Sequence, residues 1–183
     1  MALVVSFAGQ IGSGKSSVSR SLAVCLQWPR AAFGDYLRKL ASKKGLDPDS
    51  RQVLQDLGQS LVEQDSAAFC RAVLLDGGFS SGSHMLVDGV RHLSIQRNIA
   101  SIVAPSVSKL IYLRAGQSER LSRVQVRADG PRDFGRAEGH VVESELHREL
   151  PEIADSIIDA ERELPLVLED CTKQIRRWMS ELG

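Results

Sequence analysis

With 183 residues, 43% of them hydrophobic and 25% charged, the chain has the composition of a soluble globular protein, and residues 1–183 are read as a single domain. Lys plus Arg and Asp plus Glu each total 23, which leaves no global basic field for nucleic acid. No apolar run approaches the ~18 residues of a membrane span. The three cysteines are scattered and odd in number, so packed thiols in a reducing, cytoplasmic setting are expected rather than a disulfide frame.

In chain order, Leu3–Ala8 is an apolar run that reads as a short buried strand. It runs into Gly9-Gln10-Ile11-Gly12-Ser13-Gly14-Lys15-Ser16, which fits the phosphate-binding pattern G-x-x-x-x-G-K-[ST]. The helix expected over Lys15–Gln27 carries Val18, Leu22 and Leu26 at helical spacing. The local order is therefore strand, glycine loop, helix. Glycines let the backbone curl so that several N–H groups face one phosphate chain, and the positive end of the helix dipole adds to them. Gly9, Gly12, Ser13, Gly14 and Ser17 join this donor cradle. Lys15 can reach the β- and γ-phosphates, and the Ser16 hydroxyl can hold Mg²⁺.

A second strand is expected over Arg30–Gly34, ending at Gly34-Asp35, and Tyr36–Lys44 reads as the helix after it. Pro48-Asp49-Ser50 supplies a turn and cap before a long helix, Ser50–Leu75. On that helix Arg51, Gln55 and Gln59 recur at four-residue spacing and share a face, which either lines a pocket or faces water. Met85–Gly89 is a third strand, with Asp88 near its carboxyl end, where a carboxylate can orient Mg²⁺ or its waters. Arg91 follows directly. In an open parallel sheet this end is the crevice where ligands bind. Arg38 and Arg91 would both look into it, and two planar guanidinium forks suit a phosphorylated second substrate.

Helix His92–Val103 and strand Lys109–Ala115 come next, then helix Gln117–Ala128 with Arg120, Arg123 and Arg127 on one face. That face either closes over the transferring phosphoryl or forms a charged stripe in which Glu119 pairs with Arg123. Residues 129–140, with glycines, charges and Pro131, read as a short lid or an ordinary exposed loop. Helix Val141–Leu150, strand Ser156–Asp159 and helix Leu164–Leu182 complete the chain. The alternation predicts an α/β fold: three layers, with a five-stranded parallel sheet flanked by helices. The four histidines show no metal spacing.

Together these segments resemble the nucleoside monophosphate kinase group of P-loop proteins, with dephospho-coenzyme A kinases as relatives. Gly34-Asp35-Tyr36-Leu37-Arg38 is similar to the adenylate kinase Gly-Asp-x-Leu-Arg segment. Asp88-Gly89-Val90-Arg91 resembles Asp-Gly-Phe-Pro-Arg with one residue fewer. Arg123-Val124-Gln125-Val126-Arg127 resembles paired lid-entry arginines, and Ala154–Asp159 the Ala-Asp-x-x-Ile-Asp strand of dephospho-coenzyme A kinases. Arg51–Gly58 looks like the Arg-x-x-x-Gln-x-Leu-Gly segment of phage-type deoxynucleoside monophosphate kinases.

The resemblance implies a P-loop NTPase fold and an ATP- and Mg²⁺-dependent phosphotransferase, a monomer or homodimer. The acceptor is a small phosphorylated molecule, foremost a nucleoside or deoxynucleoside monophosphate, bound by helices within about residues 35–76. It implies that Lys15, Arg91, Arg123 and Arg127 act on the transferring phosphoryl, with Arg123 also near the donor adenine. It assigns Asp35, Arg38, Arg51, Gln55 and Arg91 to the acceptor, and Ser16 and Asp88 to Mg²⁺. A dephospho-coenzyme A kinase or other small-molecule kinase, and a nucleotide-binding regulator with little turnover, are the alternatives.

Overall fold

The computed structural model describes residues 1–125 and 148–183. Its elements run β1 (Leu3–Ala8), α1 (Lys15–Leu26), β2 (Arg30–Ala32), α2 (Phe33–Lys43), α3 (Arg51–Asp76), β3 (Met85–Val90), α4 (Leu93–Val103), β4 (Val107–Arg114), α5 (Gln117–Gln125), β5 (Ser156–Asp159) and α6 (Leu164–Glu181), and residues 148–153 are also helical. The five strands form one sheet in the order β2-β3-β1-β4-β5, every pair parallel.

All six residues of β1 are buried, as expected of a central parallel strand covered on both faces. Its side chains alternate between two cores. Val4 and Ala8 pack with Phe69, Val73 and Leu74 of α3 and Ile95 and Ile99 of α4. Leu3, Val5 and Phe7 pack with Val18 and Leu22 of α1 and Val167, Cys171 and Ile175 of α6. The period-two alternation of one strand thus separates the two helical layers. At the end of α3 the chain passes so close to β2 that a Cβ on Gly77 would lie 2.5 Å from the Ala31 Cα.

Three departures from the sequence expectation, two boundaries and one kink, change the local path of the chain. β2 stops at Ala32 rather than Gly34, and Phe33 already opens α2. Asp35 therefore sits in the first turn of a helix, where the dipole favours a carboxylate, and not at a strand end. β3 runs one residue further, to Val90, through a bulge: Phe7 pairs with Asp88 but Ala8 with Val90. Gly89 is the extra residue, at φ 87°, a conformation that favours glycine. The long helix α3 is kinked at Asp65, which has φ −162° and ψ 92°. Its carboxylate accepts the Ala68 N–H at 2.8 Å and caps the second half.

Cys25 is exposed and the other two cysteines are buried. Burial pushes the Cys70 thiol from 9.0 up to about 12, against a small opposing pull from Arg71. Burial likewise takes Cys171 to about 12, with the Asp170 charge adding to it. Both groups therefore stay protonated and inert in the folded chain. A thiol-specific disulfide reagent at pH 8 is expected to label Cys25 alone, with Cys70 and Cys171 reacting only after unfolding. The unfolded chain releases these two protons near pH 9 while the folded chain holds them to about 12. Their contribution to stability is thus complete below pH 9 and declines as pH rises through that window. Prompt labelling of all three thiols in the native protein would contradict this packing.

Candidate active site

The chain leaves β1 at its carboxyl end and folds back through the glycine loop into α1. At Gly12, φ is 84° and a Cβ would lie 2.5 Å from the backbone oxygen of Arg120, so no other residue fits without displacing α5. Gly14 caps α1, and no acidic residue occupies the first turn, which leaves the helix's unpaired N–H groups and positive dipole end to an anion. Lys15 is 8% exposed. Its ammonium folds over the loop, donating to the carbonyl of Gly9 and, at 2.9 Å, to that of Gln10. The Ser13 hydroxyl is buried with no partner among the described residues. Ser16 and Ser17 are exposed on the first turn of α1. Ser16 lines the adjoining cavity and Ser17 does not.

Beside the loop, one guanidinium organises two carboxylates. Arg30 at the start of β2 donates through Nη2 to Asp88 Oδ2, through Nη1 to Asp35 Oδ2 at 3.0 Å, and through Nε to Ser19 Oγ at 2.9 Å. Arg38 reaches the other Asp35 oxygen at 3.3 Å. Asp88 is 3% exposed, and its Oδ1 has no partner among the described residues. The sequence reading missed Arg30. An arginine opening a short apolar strand carries no spacing signal, and its role depends on β2 pairing with β3 so that Arg30 aligns with Leu86 and Ala32 with Asp88.

The cavity between the glycine loop and α3 gathers most of the expected site. Gly12, Gly14, Lys15 and Ser16 border it from the loop side, and Asp88 and Arg91 from β3 and the turn after it. Asp35, Arg38, Arg51 and Gln55 border it from α2 and α3. Arg38, Arg51 and Arg91 come from three separate elements, so the sheet topology brings together cations that are far apart in the chain. Gly9, Ser13, Ser17 and Arg123 do not line this cavity.

The arginine face expected on α5 is corrected at Arg120, while the alternative expected for it, a Glu119–Arg123 pair, is present. Arg120 is 3% exposed and donates to the carbonyls of Ala115 at 3.2 Å and Ile11 at 3.1 Å. It clips α5 to the glycine loop instead of facing a phosphate, because α5 buries its Arg120–Val124 side against Ile11. Arg123, one turn on, is less buried and also reaches the loop. It pairs with Glu119 at 2.8 Å, donates to the Glu161 carbonyl at 3.3 Å, and its Nη1 is 3.7 Å from where a Cβ on Gly14 would stand. Arg127 and the expected lid at 129–140 lie outside the described residues.

The loop, the helix that starts on it and the carboxylate of the neighbouring strand define a P-loop kinase fold. Shikimate kinase from Aquifex aeolicus has the same fold, with a TM-score of 0.61 and 14% identity over 94% of this chain and 96% of that one. A gluconokinase from Sinorhizobium meliloti matches with a TM-score of 0.56 and 19% identity over 99% of this chain and 94% of that one. A family profile described as "AAA domain" matches residues 5–143, and the chain belongs to that family. Two relatives are proteins named cytidylate kinase. One, from Pyrobaculum islandicum, is 30% identical over 136 residues, and one, from Pyrobaculum calidifontis, is 31% identical over 126 residues. Each match covers 68% of this chain, which spans 60% of the length of these relatives. Among the described residues, no helix is long and apolar enough to cross a membrane.

Proposed function

We propose that this chain is an ATP-dependent phosphotransferase whose acceptor is a small phosphorylated molecule, a nucleoside or deoxynucleoside monophosphate. The observation that carries the reading is one cavity lined both by the phosphate loop and by Arg38, Arg51 and Arg91. The loop holds the donor phosphates through its amides and Lys15. The arginines hold an acceptor that brings its own charge, through paired N–H donors. The relatives' name, cytidylate kinase, supports the same class of acceptor.

The residues fit Mg²⁺. Asp88 keeps one oxygen buried and, among the described residues, unpartnered beside the cavity that Ser16 also lines, and both offer hard oxygen donors. When bound, that ion supplies charge neutralisation for the β- and γ-phosphate oxygens. The remaining work belongs to the chain: Lys15 and the loop amides screen the transferring group, and Arg123, beside Gly14, borders the donor nucleotide. Arg127, from the sequence reading, would approach the phosphates. The acceptor phosphate is already ionised at neutral pH, so no strong general base is needed. Asp35 and Asp88 each give an oxygen to Arg30 and serve to position it, Arg38 and the metal.

ADP release from Mg-ATP, measured with each ribo- and deoxyribonucleoside monophosphate and with no acceptor, tests the proposal. Stimulation by one monophosphate supports it, and tight ATP binding with no stimulated turnover refutes it. Arg38→Ala is expected to raise the acceptor KM by about 10- to 100-fold, the loss of one charge-assisted contact. ATP binding should be unchanged, because Arg38 touches Asp35 and the cavity rather than the glycine loop. Equal loss of ATP affinity would show that Arg38 serves the donor side.

A further inference from the structure

Helix α3 carries two amides, one turn apart, on the wall of this cavity. Gln55 lines the cavity at 9% exposure, and its Nε2 has no partner among the described residues. Gln59 lines it too, and its buried Oε1 also lacks a partner. The orientation of Gln59 is determined by its neighbour: its Nε2 donates to Glu63 Oε1 at 2.7 Å. An ionised carboxylate only accepts, so a flipped amide would set two acceptors against each other. The Gln59 oxygen must therefore point inward. The wall offers an acceptor at Gln59 and, at Gln55, an amide free to present either its N–H₂ or its oxygen, both shielded from water. Phe33, Leu54, Val62 and Phe69 supply apolar surface around the same cavity.

Buried polar atoms without partners are rare in folded chains, and two on adjacent turns of one cavity wall, neither partnered among the described residues, point to a ligand that completes them. The ligand must present a donor to Gln59 beside a second polar group for Gln55, on an otherwise apolar body. A nucleobase edge has that arrangement, with a ring nitrogen next to an exocyclic amine or carbonyl. A bare sugar phosphate lacks the apolar ring. We propose that Gln55 and Gln59 read the base edge of the acceptor and are the residues that make this site prefer a nucleotide over a sugar phosphate. The inference rests on the acceptor reading above and deepens it.

The experiment compares CMP, UMP, AMP and GMP with ribose 5-phosphate on the full-length chain, by turnover and by calorimetric binding. The wild type should bind at least one monophosphate about tenfold or more tightly than ribose 5-phosphate. Gln55→Leu and Gln59→Leu should each cut that preference about tenfold, with ribose 5-phosphate and ATP affinities unchanged. The double variant Gln59→Glu with Glu63→Gln keeps an inward oxygen at position 59 and reverses, without losing, the bond between the two positions, and should retain the preference. It also keeps the test available if a leucine variant fails to fold. Equal binding of monophosphates and ribose 5-phosphate by the wild type, no binding of either, or unaltered preference in both leucine variants overturns the inference. Base-dependent binding without phosphoryl transfer would refute the kinase reading and leave the amide pair standing.

Discussion

Lys15→Ala is expected to lower phosphoryl transfer by about 10³-fold, the scale for removing a principal charge-stabilising donor from a pre-organised site. Lys15 is 8% exposed, and its ammonium sits over the loop, donating to two of its backbone carbonyls. Phosphates entering the loop would draw it off those carbonyls at little cost, because the side chain already lies within the cradle. The fold should survive, since the strand, the helix cap at Gly14 and the Arg120 clip do not depend on the lysine. Steady-state kinetics with a saturating acceptor, alongside thermal unfolding of the same sample, measures both effects. Retention of more than a tenth of wild-type kcat in a folded protein would remove Lys15 from the chemistry.

Arg30→Met is expected to destabilise the chain by about 3 kcal/mol, the low end for breaking a buried ion pair by removing one partner. The Arg30 side chain is 13% exposed and that of Asp88 5%, so the pair is shielded from solvent. Its bond to Asp35, 39% exposed, adds little to the sum. Without the guanidinium, Asp88 keeps a buried charge with neither oxygen partnered among the described residues. For a chain of this length the loss corresponds to a fall in Tm of roughly 6–12 °C. Arg30→Met combined with Asp88→Asn should recover part of it, because the amide no longer buries a charge. A double-mutant cycle by urea unfolding gives the coupling, and a coupling near zero would mean that the Arg30–Asp88 contact contributes nothing. The same substitution should weaken Mg²⁺-dependent turnover, since Arg30 holds the carboxylate that faces the cavity.

The local chemistry was legible in the sequence. A glycine loop after an apolar strand and before an amphipathic helix satisfies its backbone geometry within a few residues, so its pattern survives without any knowledge of neighbours. The alternation of short apolar runs with helical periods likewise announced the parallel sheet, as the unbroken burial of β1 illustrates. Boundaries at functional turns were less legible. A bulge at Gly89 and a helix beginning at Phe33 adjust where Arg91 and Asp35 stand, and each depends on what the adjoining strand requires. The kink at Asp65 had a local signal, an Asp three residues before the Ala68 N–H it caps, but helical spacing on both sides concealed it.

The sequence by itself determined the fold class, the phosphate loop and the residue types available for a phosphorylated acceptor, because those properties are set by contacts within single segments. Only the tertiary structure decided which arginines share a cavity and which do other work. Arg120 and Arg123 are three residues apart on one helix, yet one is buried on the backbone carbonyls of Ile11 and Ala115 while the other pairs with Glu119 and stands beside Gly14. Arg30 and Asp88 are separated by 58 positions and meet because β2 pairs with β3. Gln55 and Gln59 meet one cavity through the packing of α3, and Gln59 acquires its direction from one carboxylate outside it. Spacing along the chain specifies which side chains lie on a face. What each face meets depends on strand order and layer packing, and these follow from the whole core.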